Sequence, residues 1–67
     1  KRLRDILAAN LRTARTEKGW TQEDLAAHAR LSARYIGAIE RRQVAPSVDV
    51  LERLAKALSK PPAGLLS

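Results

Sequence analysis

Residues 21–42 read TQEDLAAHARLSARYIGAIERR, and this stretch decides the fold. Thr21 is placed to cap a helix, and Asp24 three residues on completes a capping-box pattern. Leu25, Ala26 and Ala29 then fall on one helical face. Arg30-Leu31 breaks that period. Ser32 is a fresh cap candidate, and Ile36 and Ile39 supply the next apolar stripe. The pattern predicts two short helices with a tight corner between them. Helices this short cannot bury an apolar face alone, so the flanks must cover them.

The flanks are patterned for that task. Upstream, residues 1–18 place Leu3, Leu7, Leu11 and Ala14 on one face, widened by Ile6. Arg4, Asp5, Arg12 and Glu17 lie opposite. Gly19 follows where a left-handed residue ends a helix cheaply. Trp20 returns to the core, its indole N–H reaching a carbonyl or the surface; base stacking is its rival role. Downstream, a short loop from Arg42 ends at Pro46, which disfavours helix in the residue before it. Ser47 can cap the next helix, with Asp49 in its first turn. Val48, Leu51, Leu54, Ala55 and Leu58 form the amphipathic stripe of that helix, which ends near Ser59-Lys60. Pro61-Pro62 stops it, and residues 63–66 can form a fifth short helix. Nothing alternates as a strand does, so the expected class is all-α.

The chain has 67 residues, enough for one small domain spanning 1–67. A domain of this size buries only about 60% of its unfolded surface. There is no cysteine, hence no disulfide and no thiolate metal site, which fits a cytoplasmic location. The chain does not begin with Met, and we expect it to be a segment of a longer protein. No apolar run follows Lys1-Arg2 as a signal peptide requires. None approaches the roughly 20 residues that span a bilayer.

Net charge is +6, and its distribution carries more than its size. Residues 1–20 hold six basic and two acidic groups, whereas 21–29 hold two acids and no Lys or Arg. Residues 30–43 hold four arginines against one glutamate. Positive charge thus gathers in the N-terminal segment and on the second helix of the central pair. A polyanion is the first partner this suggests, although basic surface also serves solubility alone. Catalysis finds no support. His28 is the single histidine, best placed as a partly exposed surface residue, and no triad or paired-carboxylate spacing occurs. Gly19, Gly37 and Gly64 are isolated and form no phosphate-cradling loop. We expect no metal, no cofactor and no small-molecule ligand. A protein-interaction module, such as an antitoxin half, is the rival class. A membrane-surface helix is disfavoured by the mixed charge of residues 1–18.

Several marks, in order and at fixed spacing, resemble a known family. They are Gly19-Trp20-Thr21-Gln22-Glu23-Asp24-Leu25-Ala26, then Leu31-Ser32, Tyr35-Ile36, Ile39-Glu40-Arg41, Pro46-Ser47, Leu51 and Leu54-Ala55-Lys56-Ala57-Leu58. The chain is similar to the helix-turn-helix domains of phage repressors and Cro proteins, the xenobiotic-response-element family, from about Leu7 to Leu66. The resemblance implies a lambda-repressor-like bundle of five short helices with the helix-turn-helix at helices two and three. It implies sequence-specific binding of double-stranded DNA by a bacterial or phage transcriptional regulator, with residues 32–41 in the major groove.

By the same resemblance, Ser32, Ala33, Arg34, Gly37 and Ala38 occupy base-reading positions, and only Arg34 can make a bidentate contact. Thr21 and Gln22 stand where helix two grips a phosphate. Tyr35, Arg41, Arg42 and Gln43 match backbone grips, so sequence choice leans partly on DNA shape. Arg15 and Glu40 match an ion pair tying helix one to the end of helix three. Ala26 matches the small residue where helices two and three touch. Two positions depart from the family: Arg30 at the corner and Arg42 after helix three both stand where glycine is usual. A left-handed Arg30 would cost about 1–2 kcal/mol. Each arginine would add a backbone contact, or else reflects drift. The resemblance also implies a symmetric homodimer. Val44, Pro62, Leu65 and Leu66 are the expected contact; the alternatives are that Leu65 and Leu66 close the monomer core, or that a further domain supplies the dimer.

Overall fold

The computed structural model describes residues 2–67. Lys1, expected in the first helix, lies outside the described residues. Four α-helices follow one another: α1 (Leu3–Glu17), α2 (Gln22–Ala29), α3 (Ala33–Glu40) and α4 (Val48–Ala57). A 3-10 turn, Pro62–Leu65, closes the chain, and no strand occurs among the described residues. The fifth element is therefore one tight turn rather than an α-helix. Its bonds run three residues back, from the Gly64 N–H to the Pro61 carbonyl (2.9 Å) and from the Leu66 N–H to the Ala63 carbonyl (3.1 Å), and four residues are too few to propagate an α-helix.

Local chemistry starts three of the helices. The Thr21 hydroxyl accepts from the Asp24 N–H at 3.0 Å, and the Asp24 carboxylate accepts from the Thr21 N–H at 2.8 Å. Ser32 accepts from the Tyr35 N–H at 3.0 Å and Ser47 from the Val50 N–H at 3.1 Å. Each such cap is worth about 1 kcal/mol. All four helices also end alike. A left-handed residue follows each one: Gly19 (φ 73°), Arg30 (φ 60°), Arg42 (φ 65°) and Ser59 (φ 57°). The N–H of the next residue reaches back to the last turn, as from Trp20 to the Arg15 carbonyl (3.1 Å) and from Leu31 to the Ala26 carbonyl (2.8 Å). This paired closure satisfies carbonyls the helix leaves open. Only the first end uses glycine, so the other three carry backbone strain.

The core joins all four helices. Leu7, Leu11 and Ala14 of α1 meet Leu25, Ala26 and Ala29 of α2 with Ile36 and Ile39 of α3. Leu54, Ala55 and Leu58 close it from α4, with Leu65 from the 3-10 turn. Ala8 is buried beside the expected stripe. Leu3 and Val48, both expected on apolar stripes, are 61% and 72% exposed. Each is the first residue of its helix and overhangs the packed layer, where burial begins with Leu7 and with Val50 and Leu51. Trp20 is half-buried against the core, and its ring stacks on His28 with centroids 4.1 Å apart.

Leu65 needs a correction. It is 1% exposed and belongs to the monomer core, so it is not available to a partner. Its side chain packs among the core residues, and the Asn10 amide donates to the Leu65 and Ser67 carbonyls, both at 3.0 Å, tying the C-terminal turn to α1. Leu66 and Val44 are half-buried against the same core, while Pro62 is exposed.

Candidate nucleic-acid interface

The corner between α2 and α3 is set by small residues and a left-handed arginine. Ala26 is buried where the two helices meet. Arg30 turns the chain, and its own side chain stays exposed. Arg53 of α4 donates to the Ala29 carbonyl at 3.2 Å and also to the Arg30 carbonyl. A cation thus sits on the C-terminal end of α2, where the helix dipole favours it. Sequence reading missed Arg53, because nothing local links it to a corner more than twenty residues away.

A second anchor fixes the far end of α3. Arg15 Nε lies 2.7 Å from Glu40 Oε2 and Arg15 Nη2 3.1 Å from Glu40 Oε1. Arg15 Nη1 donates to the Trp20 carbonyl at 2.8 Å, and Gln22 Nε2 donates to Glu40 Oε1 at 3.2 Å. The two ionic side chains are only 12% and 5% exposed. Hydrogen bonding to Glu40 raises the pKa of Arg15 above its ordinary value, with desolvation opposing and the Glu40 charge assisting. A fork-to-fork pair this enclosed, with Nη1 also bonded to the Trp20 carbonyl, holds α1, α2 and α3 in one geometry.

With α3 fixed, its outer face is defined. Ser32 and Arg34 are exposed, and Ala33 and Ala38 are half-buried. Gly37 is buried, because the Gln22 and Arg41 side chains lie over it. Arg34, Gly37 and Arg41 border an open groove that runs to Thr21 and Gln22 at the start of α2. Thr21 uses its oxygen lone pair in the cap and keeps its O–H to donate. Gln22 commits one amide hydrogen to Glu40 and keeps the other. Tyr35 is half-buried and packs on the core through its ring. Arg42 is exposed, with Nε 4.0 Å from Asp5 Oδ1. Gln43 accepts from Arg41 Nε at 3.3 Å. No group of three or more His, Cys, Asp or Glu side chains converges among the described residues. No helix there is long and apolar enough to cross a membrane.

The fold and sequence are similar to those of other proteins. The chain is 41% identical over 56 residues to a hypothetical transcription factor from Neisseria meningitidis, covering 84% of this chain and 53% of that protein. It thus spans about half the length of that relative. The crystal structure of the hypothetical transcription factor NHTF from Neisseria superposes with a TM-score of 0.95 at 38% identity, over 98% of this chain and 76% of that one. The restriction-modification controller protein C.Esp1396I, solved as a tetramer with its natural 35 base-pair operator, gives a TM-score of 0.87 at 32% identity, over 97% of this chain and 86% of that one. The helix-turn-helix family model matches residues 11–65. The chain belongs to the helix-turn-helix family, of the Cro/C1 or xenobiotic-response-element type.

Proposed function

We propose that this domain binds double-stranded DNA with sequence preference, as the DNA-reading part of a cytoplasmic transcriptional regulator without catalytic activity. The observation that carries the reading is the outer face of α3. It presents Ser32, Ala33, Arg34 and Ala38 on a helix locked from behind by Arg15 and Glu40. A rigid helix with one exposed arginine among small residues suits entry into a major groove. Gln22 and Thr21 with their remaining donors, and Arg30, Tyr35, Arg42 and Gln43 at the ends of the two helices, would grip phosphates on either side.

One such helix reads few base pairs, and a symmetric homodimer would double the site. With Leu65 sealed in the core, the contact left to propose comprises Val44, Pro62 and Leu66, with exposed Val48 four residues after Val44 in sequence.

Binding to a duplex measured from low to high salt tests the reading. Affinity should fall with a slope of about −0.9 for each phosphate contacted. No duplex binding at low salt, or binding indifferent to salt, would instead favour a protein-interaction module. Sedimentation of Val48→Asp beside the parent tests the dimer; a parent that stays monomeric both free and on DNA rules it out.

A further inference from the structure

In a helix, side chains lean toward the N-terminus, so a residue lies over the one four positions before it. Arg41 does this over Gly37. A Cβ placed on Gly37 would stand 2.8 Å from Arg41 Nη1 and 3.6 Å from its Cζ. The guanidinium occupies the space a side chain at 37 would claim. Two contacts bear on that placement. Arg41 Nε donates to Gln43 Oε1 at 3.3 Å, holding the arginine stem. Gln22 Oε1 lies 3.3 Å from the same Gly37 Cβ position, while its amide nitrogen is bound to Glu40. The Gln22 and Arg41 side chains thus both cover Gly37.

From its place after α3, Arg41 suggests a contact to the DNA backbone. Its guanidinium lies instead one turn back, at the middle of the outer face and beside Arg34 in the open groove. We propose that Arg41 reads a base, as a second reader beside Arg34, and that Gly37 is the gap that makes this possible. The proposal rests on the reading that α3 enters the major groove. A guanidinium there offers paired donors to O6 and N7 of guanine. It also gives a physical reason for glycine inside a helix, where glycine is otherwise unfavourable.

Selection from a randomised duplex library, with parent, Arg34→Ala, Arg41→Lys and Gly37→Ala, tests the assignment. Sites enriched by the parent are then remeasured with single base-pair changes. Arg41→Lys keeps the charge and loses the fork. It should lose roughly 5- to 150-fold discrimination at one base pair, distinct from the pair lost in Arg34→Ala. Gly37→Ala keeps every charge and displaces the guanidinium. It should lose preference at the same pair as Arg41→Lys, with the parent's salt slope and an intact helical circular dichroism spectrum. Arg41→Lys or Gly37→Ala enriching the parent's full motif would overturn the proposal and leave DNA binding standing. A parent that binds duplexes without enriching any motif would also overturn it. A parent that binds no duplex at low salt removes the underlying reading and this proposal together.

Discussion

The two sides of α3 hold charge in opposite ways. On the inner side, Glu40 is gripped by Arg15 and Gln22 and its side chain is 5% exposed, next to Ile36 and Ile39 in the core. On the outer side, Arg34 stands exposed on the same helix. The inner charge is committed to the fold. Removing one partner strands the other in a place water hardly reaches. The outer charge is left for something outside the molecule, and its loss should barely register in the unfolding free energy. One eight-residue helix therefore separates stability from recognition by face, and substitutions can test how sharp that separation is.

The largest effect belongs to the inner side. Glu40→Ala should lower the unfolding free energy by several kcal/mol, about 3–5 at most, because half-buried Arg15 keeps its charge and loses its acceptor. Urea titration followed by circular dichroism measures this. A loss below about 1 kcal/mol would mean that the pair behaves as a surface ion pair, and the comparison would fail. Arg34→Ala should do the reverse. We expect a loss of about 1–3 kcal/mol in discrimination between a selected duplex and a scrambled one. Its urea midpoint should stay within about 0.5 kcal/mol of the parent. Equal losses on both duplexes would move Arg34 from base to backbone.

Ser32 lies on the border between the two sides, since its hydroxyl caps α3 while its side chain is exposed. Ser32→Ala should cost about 1 kcal/mol of stability through the lost cap. A Ser32→Asp variant that regains the stability, yet binds duplexes worse than Ser32→Ala, would separate capping from recognition. The smallest effect is expected at Arg42, left-handed at φ 65°. Arg42→Gly should relieve strain and raise stability by up to about 1 kcal/mol. It should also weaken binding on every duplex and reduce the salt slope by about 1. The exposed contact to Asp5 at 4.0 Å offsets little of that gain. A variant that gains stability with no change in the salt slope would show that Arg42 does not touch phosphate.

What could be read in the sequence follows from range. The caps at Thr21, Ser32 and Ser47 were legible because donor and acceptor lie three residues apart. The stripes of α1 and α4 were legible because burial repeats with the helix, except at Leu3 and Val48, where a period cannot tell an overhanging first turn from a covered one. The left-handed Arg30 was anticipated only because glycine is usual at that family position, and Arg42 was marked as a second glycine position without its backbone conformation being foreseen. The pairing of Arg15 with Glu40 likewise came from resemblance, and its depth of burial needed the structure. Long-range backbone contacts escaped entirely. Nothing near Asn10 says that it holds the Leu65 carbonyl, and nothing near Arg53 says that it crosses to the Ala29 carbonyl. The Arg41 fold-back stood in between, for its four-residue spacing from Gly37 was visible while the direction of the guanidinium was not.

Trp20 is the only tryptophan in the chain. Its carbonyl takes a bond from Arg15 at 2.8 Å, its ring lies within 6° of parallel to His28, and Lys18 Nζ sits 5.1 Å from the ring centroid. The passage from α1 to α2 is thus fitted with an optical reporter that needs no label. Indole emission senses whether Arg15 and His28 still touch this residue, whereas circular dichroism counts helical turns whether or not they remain docked. Coincident emission and dichroism curves during denaturation would mark a domain that opens in one step. Emission that moves first would mark the α1-to-α2 passage as the place where the bundle comes apart while its helices persist.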